Sequence, residues 1–80
     1  MAQTHILSPL PGTYYRQPAP DQPPYKNVGD PVTVGEVVGL IEVMKSFIEV
    51  KSEHGGKIVA FLIENEEPVM AGQPIIAIEG

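Results

Sequence analysis

The chain has 80 residues, 42% of them hydrophobic and 19% charged, with no cysteine and a formal net charge of −5. That length allows one small domain spanning 1–80. It contains no disulfide, catalytic thiolate or cysteine-ligated zinc, and its acidic balance argues against nucleic acid or an acidic membrane surface as a partner. No apolar run approaches the roughly 20 residues of a membrane helix, MAQTHILSPLPG lacks the pattern of a signal peptide, and a small domain without staples suits a reducing compartment, so a cytoplasmic location is expected.

From the N-terminus onward, short β-branched or alternating runs are separated by Gly, Pro, Asn and Asp. Strands are predicted near 5–8 and 12–16. Next comes YYRQPAPDQPPYKN, where Pro18, Pro20, Pro23 and Pro24 crowd together. Proline lacks a backbone donor and favours extended or turn geometry, so a semi-rigid protruding loop is expected near 17–27. Further strands are predicted near 32–34, 37–43, 46–51, 57–63, 68–70 and 74–79. Helical periodicity is weak throughout; AFLIENEEPV comes nearest, and Pro68 stops it. The expected class is all-β, as two small antiparallel sheets facing each other or a flattened barrel.

The chain also repeats itself. At an offset of 37 residues, Pro31 meets Pro68, Val32 meets Val69, Gly35 meets Gly72, Ile41 meets Ile78 and Glu42 meets Glu79, with Asp30 opposite Glu67. Upstream, Ser8–Gly12 resembles Ser52–Gly56 at an offset of 44. The first half therefore carries about seven extra residues between Gly12 and Gly29, and the proline-rich stretch contains them. Duplication of this kind implies halves related by a pseudo-two-fold axis. Position 45 plus 37 is 82, just beyond the last residue, so the region of Lys45 and the C-terminus are expected on opposite sides.

Residues 41–50, IEVMKSFIEV, read as a hairpin without turn residues. Alternation puts Ile41, Val43, Ile48 and Val50 on a buried face, and Glu42, Glu49 and Lys51 on a wet one. Residues paired across a hairpin share a face, so paired numbers must have an odd sum. The loop is then centred on 44/45, 45/46 or 46/47, and Lys45 lies in or beside the turn in each case. Met-Lys is a poor choice for a turn that favours Asn-Gly, and local rules tend to break at functional sites.

Glu42-Val43-Met44-Lys45 resembles the Glu-Ala-Met-Lys attachment motif of biotin carboxyl carrier domains. SPLPGTYYRQPAPD, VGDPVTVGEVVGLIEVMK and NEEPVMAGQPIIAIE are similar to the opening, central and closing segments of the acetyl-CoA carboxylase type, so the likeness covers nearly the whole chain. Val43 stands where that type has Ala, and Ser46 where Met or Leu usually follows the lysine. The resemblance implies a barrel-sandwich hybrid, biotin joined covalently to Lys45 by a biotin protein ligase, and attachment-motif roles for Glu42, Val43, Met44 and Ser46. It implies a thumb touching the biotin, formed by Pro20, Asp21, Gln22, Pro23 and Pro24. It also implies a non-catalytic carrier between a biotin carboxylase and a carboxyltransferase, in fatty-acid synthesis.

The chain presents no catalytic constellation of its own. His5 and His54 are far apart in sequence, and His54 reads as a loop residue before Gly55-Gly56. Glu64, Glu66 and Glu67 read as a solvated acidic face rather than a metal site. An exposed lysine lacks the desolvating pocket that imine chemistry needs. A lipoyl carrier, whose tip usually reads Asp-Lys, and an unmodified lipoyl-like structural module are the alternatives.

Overall fold

In the computed structural model, which describes residues 3–80, eight strands follow one another. They are β1 (Gln3–Leu7), β2 (Gly12–Tyr15), β3 (Pro31–Val32), β4 (Val37–Val43), β5 (Ser46–Lys51), β6 (Gly56–Phe61), β7 (Glu67–Val69) and β8 (Pro74–Glu79). Met1 and Ala2, included in the expected domain span, lie outside the described residues. The strands form two antiparallel sheets, ordered β1-β8-β6-β3 and β5-β4-β2-β7. All eight predicted strands are present, with shifted edges. β3 ends at Val32, leaving Val34 70% exposed, and β6 ends at Phe61 before an exposed Leu62 and a buried Ile63.

Exchanging β1 for β5, β8 for β4, β6 for β2 and β3 for β7 turns one sheet order into the other, as the internal repeat requires. The loop hydrogen bonds repeat as well. Gly35 N donates to Ser52 O at 2.7 Å, and Gly72 N to Ser8 O at 2.8 Å. Asp30 accepts from Asn27 N at 2.9 Å, and Glu67 from Glu64 N at 2.7 Å. The buried hydroxyls of Ser8 and Ser52 donate to Leu10 O and His54 O. Duplication thus fixes the turns as well as the strands.

One apolar cluster joins the two sheets, with Ile6, Ile58, Ile76 and Ile78 from one and Tyr14, Ile41, Val50 and Val69 from the other. At about 1.5–3 kcal/mol per fully buried large aliphatic side chain, this cluster is the main force holding the sheets together. Tyr14 is fully buried because Gly39 faces it: a Cβ there would lie 2.4 Å from the Tyr14 ring. Its hydroxyl donates to Val38 O at 3.1 Å, and burial raises its pKa well above the ordinary 10.0, with nearby Arg16 partly opposing the shift.

Candidate functional site

The β4–β5 register runs from Ile41 opposite Ile48 through Glu42 opposite Phe47 to Val43 opposite Ser46. Two residues, Met44 and Lys45, make the turn, with φ of 50° and 69°. Positive φ at both central residues is the signature of a type I′ turn, which matches the twist of the flanking strands. Of the three centres that parity allowed, the chain uses 44/45. Glu66 is the third non-glycine residue with positive φ among the described residues. Met44 is 93% exposed and Lys45 is exposed too, so no packing accounts for their being here.

The predicted faces need one correction. Ile48 shares its face with Ile41 as expected but is 40% exposed rather than buried, and Val43 is half-buried. Close to the tip, that face is only partly covered. Phe47, on the other face, is also exposed and stands 6.0 Å from the Tyr15 ring. Met44, Phe47 and Ile48 are thus exposed apolar residues within three positions of the lysine. Glu42 does more than solubilise the strand: it accepts a 2.7 Å hydrogen bond from the Tyr15 hydroxyl. That bond, followed by desolvation and the charges of Glu42 and Glu66, raises the Tyr15 pKa. Glu49 instead stands 4.0 Å from Lys51, both exposed.

Beside the hairpin lies a groove of about 590 Å³, lined by Tyr15, Leu40 and Phe47 on the sheet, Gln17–Pro20 on the proline-rich loop, and Asn65 and Glu66 opposite. Of the expected thumb residues only Pro20 lines it. Asp21, Gln22 and Pro23 are exposed and Pro24 is half-buried, away from the groove lining. The turn from Ala19 to Gln22 is closed by a 3.0 Å backbone hydrogen bond, and the Gln17 amide donates to Ala19 O and Pro20 O at 3.0 Å each. Tyr15, Leu40 and Phe47 were missed as groove residues because their strand pattern explained them as sheet positions. The exposed aromatic two residues after Lys45 was the available signal.

The two histidines, remote in sequence, meet at a second groove of about 450 Å³ between the β1 and β5 edges, with Glu49, Lys51 and Glu53. No group of three His, Asp or Glu residues among those described has metal-binding geometry. His54 is a loop residue, its backbone N and O both bonded to Ser52 Oγ. The carboxylate of Glu67 caps its own loop rather than gathering a cation.

Residues 4–78 match the family described as "Biotin-requiring enzyme". The chain belongs to this family. Curated relatives in the family include a chloroplastic biotin carboxyl carrier protein of acetyl-CoA carboxylase from Arabidopsis thaliana, 39% identical over 92% of this chain and 26% of its own length. The biotin carboxyl carrier protein of acetyl-CoA carboxylase from Chlamydia pneumoniae is 41% identical over 91% of this chain and 44% of its own. The chain thus spans about a quarter to just under half of these relatives' lengths. Among solved structures, the Kluyveromyces lactis urea carboxylase contains the same fold, with a TM-score of 0.77 and 28% identity over 99% of this chain and 6% of that one. The all-β barrel-sandwich expected from the resemblance is the fold observed. No helix among the described residues is long and apolar enough to cross a membrane.

Proposed function

We propose that this chain is a biotin carboxyl carrier domain, one unit over 1–80, with biotin joined as an amide to the Lys45 Nζ. The observation that carries the reading is the Met44-Lys45 pair held in a strained two-residue turn, fully displayed, in a member of a biotin-requiring family. Attachment needs the amine as a nucleophile, at an exposed tip that a second protein can reach. Activation therefore falls to a biotin protein ligase, with Glu42, Val43, Met44 and Ser46 as the letters it reads. The exposed Met44 beside Lys45, with Phe47 and Ile48 exposed on the two faces behind it, supports recognition of the tip by another protein. A Met-Lys tip and curated relatives named as biotin carriers favour this reading over a lipoyl carrier.

Biotin supplies a ureido nitrogen that accepts and releases a carboxyl group. The chain's own residues hold its attachment point on a short hairpin of one sheet, which shares its core with the other. Tethering raises the effective concentration at each partner site to about millimolar. The names of the relatives support a biotin carboxylase and a carboxyltransferase as those partners, acetyl-CoA as the acceptor, and fatty-acid synthesis as the pathway. The absence of cysteine and the acidic charge support a cytoplasmic setting without nucleic acid or membrane contact. The groove beside Phe47 and Gln17–Pro20 supports the proline-rich loop as the thumb, with contact centred on 17–20 rather than 21–24.

Intact mass after incubation with a biotin protein ligase, biotin and ATP tests the assignment. One biotinyl increment is expected on the native chain and none on Lys45→Arg, with thermal unfolding moved by less than about 2 °C because an exposed tip packs against nothing. Biotin retained on Lys45→Arg would sink the assignment.

A further inference from the structure

The proline-rich loop leaves the sheet at Arg16 and returns at Tyr25 and Lys26, and one residue touches both ends. The Arg16 carbonyl accepts from Tyr25 N at 2.9 Å, while its Nη2 reaches Lys26 O at 3.4 Å, a long contact. Its own N–H donates to the Asn65 side chain at 2.8 Å, tying the departure point to the loop between β6 and β7. The guanidinium lies 4.0 Å from the centroid of the Phe61 ring. Its Nε is buried without a hydrogen-bond partner, a cost that the contact with the ring helps to offset. Lys26, at the far end, is fixed in turn by Glu36 at 2.5 Å and by Pro31 O at 2.9 Å.

The repeat shows what this cluster is for. Offset by 44, the counterpart of Arg16 is Ala60, in the half that lacks the insertion. Offset by 37, the counterpart of Asn65 is Val28. Many loop contacts elsewhere come in matched pairs; these do not. The unmatched residues gather where the extra seven residues leave and rejoin the sheet. Arg16 also stays outside the groove lining, so it acts through the loop and not on a ligand.

We infer that Arg16, stacked on Phe61, is the positioning residue that clamps the base of the proline-rich loop and so sets the Gln17–Pro20 wall of the groove. Its functional value rests on the thumb reading above; its clamping does not. Hydrogen exchange on the unmodified 80-residue chain reads the clamp directly. Loss of a partly desolvated cation–π contact predicts exchange about tenfold faster at the Gln22 and Tyr25 amides in Arg16→Ala. The Ile41 and Ile78 amides should stay within about twofold, because no sheet bond is touched. Arg16→Lys keeps the charge but loses the flat guanidinium face, so it should fall between the two. Phe61→Leu, which removes the ring and leaves Arg16 intact, must loosen the same amides. Unchanged Gln22 and Tyr25 exchange in Arg16→Ala would overturn the inference. On the biotinylated chain, Arg16→Ala should also speed capture of the tethered biotin by streptavidin. Faster exchange with unaltered capture would uphold the clamp and overturn the thumb contact instead.

Discussion

Replacing Met44-Lys45 with Asn-Gly should stabilise the domain while abolishing its modification. Both residues hold side chains in the left-handed region, at φ of 50° and 69°. A non-glycine residue there costs at least about 1 kcal/mol, so the turn stores roughly 2 kcal/mol. Glycine at 45 removes that strain but gives back about 0.5–1 kcal/mol through the freedom it adds to the unfolded chain. Asparagine tolerates the conformation at 44 with a smaller residual cost. The 93% exposure of Met44 and the exposure of Lys45 mean that no burial is lost. The net gain is about 1 kcal/mol, which for a domain of this size raises Tm by about 4–8 °C. Calorimetry on Met44→Asn/Lys45→Gly, with intact mass after ligase treatment, measures both halves of the claim. A Tm equal to or below that of the native chain would refute strain at the tip. It would also remove the argument that recognition displaced a better turn.

Four other substitutions probe the packing, the buried hydroxyls and an ion pair. Gly39→Ala drives a methyl to within 2.4 Å of the Tyr14 ring and should cost about 2–3 kcal/mol, lowering Tm by about 10–20 °C with altered near-ultraviolet tyrosine dichroism. Ser8→Ala deletes one buried hydroxyl bond, and Ser52→Ala the equivalent bond plus one accepted from His54 N, so urea unfolding should show a loss of about 1 kcal/mol at Ser8 and a larger one at Ser52; no loss at either site would contradict the pseudo-two-fold reading. The Glu36 carboxyl is held below its ordinary 4.5 chiefly by Lys26, with help from Thr33. A lowered folded pKa adds stability above the unfolded value, and that stability is lost as pH falls through the folded one. The Tm advantage of the native chain over Glu36→Gln should therefore be full near neutrality and shrink as pH drops below about 4.5.

What the sequence made legible depended on period and parity. Alternation located all eight strands, and the odd-sum rule confined the turn to three centres that include the one used, because a one-residue slip turns a whole apolar face outward. Ile48 shows where that logic stops. Parity says which face a side chain takes, not whether another element covers that face so close to a tip. Leu62 and Ile63 show it again, since an apolar run continues past the end of β6 to bury Ile63 from a loop. The Tyr15–Glu42 bond and the Arg16–Phe61 stack join residues 27 and 45 positions apart, and no local pattern announces such pairs. Prolines marked the protruding loop, but which of its residues would face the sheet depended on contacts at its base.

The repeat separates scaffold from site more sharply than burial does. Where the two halves agree, as in Ser8 with Ser52, Asp30 with Glu67 and Gly12 with Gly56, the residues close turns or let strands approach. A Cβ on either of those glycines would meet a carbonyl oxygen at 2.5 Å. Some of the positions where they disagree lie together. Arg16 faces Ala60 across the repeat, Phe47 faces Gln3, and seven residues of one half have no counterpart at all. Phe47 and the inserted Gln17–Pro20 line one groove, and Arg16 anchors the loop that forms its wall. The shared residues serve the fold, and unshared residues outside the core, unlike Tyr14 and Gly39, are those that function could change without dismantling it. Phe47, Tyr15 and Gln17–Pro20 are therefore positions where members of this fold could change the groove beside the Lys45 hairpin.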